Sequence, residues 1–107
     1  MILVSKASKE EIKSIAELFH GYVKVVVDVE NKILCAGAER HVDEEHKLLI
    51  NGSNQSDLWG GGIDLETGEV DYNSMINLRP NQDNPSRDIL SKDIRLKFNE
   101  IVNKILK

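Results

Sequence analysis

With 107 residues, 40% of them hydrophobic and 30% charged, and only two prolines, the chain is long enough to bury a core without staples and too apolar to be disordered. Its formal net charge of −4 argues against a general nucleic-acid binder, and no apolar run approaches the roughly 20 residues that a membrane helix needs. One α+β domain over 1–107 is expected, in the cytoplasm, because the apolar run at 1–4 is far too short for the core of a secretory signal.

Ser8 and Glu11 form a capping box, and Ile12, Ile15, Ala16 and Phe19 follow at the spacing of one helical face, so a helix is expected over 8–20 with Gly21 closing it. The β-branched run at 22–29 contains Val25, Val26 and Val27 without a break, which predicts a strand covered on both faces and central in its sheet. A two-residue turn at Glu30 and Asn31 leads into a second strand over 32–39. Asp43 is placed to cap a short helix, with Glu44 and Glu45 in its first turn and Asn51 and Gly52 at its end.

A third strand is expected over 58–65, despite three consecutive glycines, with 66–69 as its hairpin loop. Val70, Tyr72, Ser74, Ile76 and Leu78 then alternate with Asp71, Asn73, Met75, Asn77 and Arg79, the pattern of a fourth strand over 70–79. After a loop at 80–88, Leu90, Ile94, Phe98, Ile101, Val102 and Ile105 form the apolar stripe of the last helix. These elements assemble into a four-stranded antiparallel sheet, five-stranded if 1–4 adds an edge, with two long helices on one face and one short helix.

Charge is unevenly distributed: residues 28–71 hold eleven acidic side chains against three basic ones, whereas from Tyr72 onward there are seven basic and four acidic. Such asymmetry fits either a charged partner or a solvated acidic edge. Cys35, the only cysteine, has apolar neighbours and is expected to be a buried, inert thiol.

Three segments could carry chemistry. The first is Asn77-x-Arg79-Pro80-Asn81-Gln82-x-Asn84-Pro85-Ser86-Arg87, where guanidinium forks and carboxamides could bind a phosphate, carboxylate or nucleotide. Its structural counterpart is a set of turns in which Asn and Ser bond to backbone. The second is His41-x-Asp43-Glu44-Glu45-His46, whose His41, Asp43 and Glu44 could bind a divalent metal, although the two histidines are five apart and match no helical ligand spacing. The third is Trp59 beside the glycines, a stacking surface or a core residue. Gly60, Gly61 and Gly62 lack the Lys-Ser or Lys-Thr of a phosphate loop, and no nucleophile elbow or paired-cysteine zinc site is present.

The blocks His41-x-Asp43-Glu44, Gly52-Ser53-x-Gln55-x-Asp57-Leu58-Trp59-Gly60 and Ser74-Met75-Ile76-Asn77-x-Arg79-Pro80-x-Gln82-x-Asn84-x-Ser86 resemble a family of small prokaryotic proteins known only as a domain of unknown function. The resemblance covers nearly the whole chain and implies no established activity or cofactor. The leading expectation is a ligand-binding module for a small anionic or polar molecule. RNA is less favoured, because the usual basic, aromatic platform is missing. The alternatives are a metal-assisted hydrolase using His41, Asp43 and Glu44, and a structural or regulatory subunit, for which homo-oligomers are compatible.

Overall fold

The computed structural model describes the backbone of residues 1–107 and every side chain except that of Phe19, so that member of the first helix's stripe lies outside the described residues. Strand β1 (Ile2–Leu3) is followed by helix α1 (Lys9–Phe19), strands β2 (Tyr22–Asp28) and β3 (Ile33–Ala36), and helix α2 (His41–Ile50). Then come β4 (Leu58–Asp64), β5 (Val70–Asp71) and helix α3 (Lys92–Leu106). The strands form one antiparallel sheet in the order β1-β3-β2-β4-β5, with β2 at its centre.

Alternation along β2 separates two cores. Val23, Val25 and Val27 share one cluster with Trp59 and Ile63 of β4, Ile15 of α1, and Phe98, Ile101, Val102 and Ile105 of α3, so both long helices cover this face. Val26 belongs to a second cluster with Cys35, Leu58 and Leu48 of α2, which covers the other. The unbroken valine run is therefore buried on both sides, and Cys35 is fully enclosed.

The capping box forms: Ser8 N–H donates to Glu11 Oε1 at 2.9 Å, and Glu11 N–H donates to Ser8 Oγ at 3.1 Å. The β2–β3 connection is a four-residue loop, since Asp28 pairs with Ile33 and Lys32 takes a left-handed conformation at φ 58°. It closes this way because the buried Asp28 carboxylate accepts the N–H groups of Glu30 and Asn31, the Asn31 amide at 2.8 Å and the Ser53 hydroxyl at 2.6 Å. Burial alone would raise the Asp28 pKa, but these hydrogen bonds outweigh it and hold the group below the usual carboxylate range.

Helix α2 starts two residues before the expected cap. Arg40 occupies the N-cap position without a side-chain cap, and Asp43, three residues on, chelates its guanidinium at 3.1 and 3.2 Å. Helix α3 begins at Lys92 behind the Ser91 cap, so Leu90 precedes it and is exposed while Ile89 fills the core.

The largest departure is at 70–79, where only Val70 and Asp71 extend the sheet. The chain continues through isolated pairings of Asn73 with Asp88 and of Arg79 with Asn84, and 3-10 turns at Met75–Asn77 and Pro80–Gln82. Leu78 is consequently exposed. The alternation is genuine, but two asparagine side chains replace the ladder that a strand would have formed.

Candidate functional site

The Asn77 side chain is fully buried and acts as a surrogate peptide group. Gly60 N–H donates to its Oδ1 at 2.8 Å, and its Nδ2 donates to Gly60 O at 2.9 Å, closing the outer edge of β4 beyond the reach of β5. The same Nδ2 reaches Tyr72 O and Arg87 O at 3.0 and 2.9 Å. Asn84, also buried, bonds the carbonyls of Asn77, Ser86 and Asp88 and accepts from Leu90 N–H.

Arg79 lies inside the protein. Its guanidinium donates to the carbonyls of Ile76 and Gln55, both at 2.8 Å, and to that of Leu58; it also lies 4.7 Å from the Trp59 ring centroid. Glu45 Oε2 is 3.8 Å from its Nη2. Burial lowers the Arg79 pKa while the Glu45 charge opposes the shift. Gln82 accepts from Arg79 at 3.3 Å and donates to Ser56 O, Ser86 Oγ accepts from Asp88 N–H, and Asn81 is exposed. Trp59 is 2% exposed and belongs to the core.

The glycines accommodate neighbouring side chains. A Cβ on Gly60 would lie 2.6 Å from Ser74 Cβ, one on Gly61 2.7 Å from Phe98 Cζ, and one on Gly62 would overlap the Tyr22 hydroxyl. Ser74, Phe98 of α3 and Tyr22 of β2 therefore approach β4 where it has no side chains, and at Gly61 the backbone carbonyl of Asp71 is closer still.

An open cleft of about 450 Å³ remains, lined by Tyr22, Lys24, His41, Asp71, Asn73, Ser74, Met75 and Arg87. It brings together His41 from the second sequence candidate and Arg87 from the first. Strand β2 supplies Tyr22 and Lys24, on the face opposite Val23 and Val25; Asn77 and Ser74 fix the Arg87 backbone through its carbonyl. Of the four arginines, Arg40 is tied to Asp43, Arg79 to backbone carbonyls, and Arg95 to Ile89 O and the Tyr72 ring. Among the described residues, neither Arg87 nor Lys24 has a side-chain hydrogen bond or salt-bridge partner.

His41 Nε2 is 2.6 Å from Gly61 O. A carbonyl only accepts, so this nitrogen carries the hydrogen, leaving Nδ1 as an acceptor on the neutral ring. Burial lowers the His41 pKa and favours that neutral form. The Tyr22 hydroxyl donates to Asp71 Oδ2 at 2.6 Å. Burial, reinforced by this carboxylate, raises the phenol pKa and keeps it protonated.

His41, Asp43 and Glu44 do not converge: His41 bonds to Gly61, Asp43 to Arg40, and Glu44 is fully buried beneath α2. Among the described residues, no group of three or more His, Cys, Asp or Glu side chains is arranged to hold a metal ion. Glu44 accepts from Ala38 N–H at 3.4 Å through Oε2, while its Oε1 has no partner. Burial pushes its pKa up to about 8.

A family model matches residues 1–105, which leaves only two residues outside it. The chain belongs to DUF5674, a family described as a protein of unknown function. Comparison with curated proteins and with solved structures returned no match. Membership of DUF5674 thus accounts for the resemblance without assigning chemistry to the cleft. Among the described residues, no helix is long and apolar enough to cross a membrane.

Proposed function

We propose that this DUF5674 protein is a binding module for a small anion, held in the cleft between β2, the start of α2 and the 71–75 and 87 segments. The supporting observation is that Arg87, the arginine not engaged elsewhere in the described structure, shares this cleft with an equally unpaired Lys24. A guanidinium offers a planar fork to a phosphate or carboxylate, and an ammonium adds a mobile point charge. Asp71 is occupied by the Tyr22 hydroxyl, which limits its competition for the two cations. Asn77, Asn84 and Arg79 serve this reading indirectly, by holding the segment from which Arg87 projects.

Thermal unfolding with phosphate, dicarboxylates and nucleotides tests the proposal. A ligand at ~100 times its dissociation constant stabilises by ~2.7 kcal/mol, which raises the midpoint of a domain this size by roughly 10 °C or more. The rise is expected in the wild type and lost in Arg87→Gln and Lys24→Gln, whose unliganded midpoints stay near that of the wild type. The absence of a shift with every anion would overturn the proposal.

A further inference from the structure

Resting on the anion-binding reading, we infer that the cleft takes an anion carrying a planar ring, of the class of nucleoside monophosphates, with its ring against Tyr22 and its phosphate toward Arg87 and Lys24. Tyr22 is 41% exposed although it belongs to the central strand. Its phenol end lies over Gly62, where a Cβ would sit only 2.5 Å from Cζ and 2.9 Å from Cε2. The hydroxyl is anchored to Asp71. The ring is thus supported from beneath and tethered at its tip, while the exposed remainder lines the cleft beside the two free cations. An aromatic surface held this way loses little freedom when a base stacks on it.

The cleft volume of about 450 Å³ falls in the range of small-molecule sites and greatly exceeds the needs of a bare phosphate. Neutral His41 adds an acceptor, Nδ1, suited to a sugar hydroxyl, while its Nε2–H remains engaged with Gly61. The cations bind charge, the phenol ring binds a flat apolar surface, and the imidazole accepts a hydroxyl hydrogen. A nucleoside monophosphate presents all three features.

Calorimetric titration of the full chain with inorganic phosphate, ribose phosphate and adenosine monophosphate tests this. Adenosine monophosphate is expected to bind on the order of tenfold tighter than ribose phosphate, the usual scale of one base stacked on one aromatic ring. Both Tyr22→Leu and Tyr22→Phe release Asp71 and are expected to weaken ribose phosphate binding alike, so the readout is the ratio of the two affinities: Tyr22→Leu should erase the preference for adenosine monophosphate, and Tyr22→Phe should retain it. Unfolding midpoints establish that both variants are folded; should Tyr22→Leu fail to fold, ring-proton shifts of Tyr22 in the wild type provide the readout, present with adenosine monophosphate and absent with ribose phosphate. Equal, Arg87-dependent affinities for the two phosphates would overturn the ring assignment and leave the anion reading intact. No binding of any phosphate would overturn both.

Discussion

Replacing Glu44 by glutamine tests the protonation of the second core. Folding raises the Glu44 pKa from its ordinary 4.5 to about 8, so the folded protein retains a proton that the unfolded chain releases between those values. The protonated carboxyl's contribution to stability is complete below pH 4.5 and declines by about 1.4 kcal/mol per pH unit as the pH rises toward 8. At pH 7 the wild type has lost on the order of 3 kcal/mol by this route. The carboxamide of the Glu44→Gln variant does not titrate, and any packing change it causes is independent of pH. The stability difference between variant and wild type should therefore move by roughly 4 kcal/mol in the variant's favour between pH 5 and pH 8. Urea unfolding of both proteins at half-unit intervals measures it, and contributions from other titrating groups cancel in the difference. A gap that stays constant across the series would mean that Glu44 is not a buried neutral acid.

Arg79→Ala is expected to cost about 3–5 kcal/mol of folding stability, because it leaves Glu45 as an unpaired buried carboxylate and three backbone carbonyls without their donor. Denaturant midpoints read this directly; a loss under about 1 kcal/mol would contradict the interior role assigned to Arg79. Asn77→Asp preserves shape but removes the amide donor and turns a carboxylate toward Gly60, Tyr72 and Arg87 carbonyls, at a cost of at least ~3 kcal/mol. Since aspartate still offers Gly60 N–H an acceptor, the edge closure is tested with Asn77→Ala, in which faster hydrogen exchange at Gly60 N–H is expected and wild-type protection there would refute the assignment.

The sequence carried much of this fold in local signals. Ser8 and Glu11 specify a helix start through bonds three residues apart, and the β2 valine run could be buried only by cover on both sides. The 70–79 segment was misleading because alternation records which positions are apolar, whereas a strand needs a partner for its backbone. Here the partner of Gly60 is the side chain of Asn77, seventeen residues away, a pairing without local signature. Arg87 and His41 were visible as polar residues in a suggestive context, and the cleft joins them. Lys24 and Tyr22 were missed because a valine-rich strand masks its polar face. The signal was their alternation with Val23 and Val25, which places both on one side of the sheet.

The closure of β4 by one carboxamide also bears on whether this sheet edge can recruit another strand. A strand edge with free N–H and C=O groups is a template for another chain, and natural sheets protect such edges with short strands, charges or cover. At Gly60 that protection is a single side chain bonded to both backbone groups. The outer edge of β4 is thus covered in turn by the Arg79 guanidinium at Leu58, the Asn77 carboxamide at Gly60 and β5 from Gly62 onward. Partial unfolding of the 72–88 segment would uncover the apolar strand Leu58–Asp64, with its three glycines offering little steric resistance to an incoming strand.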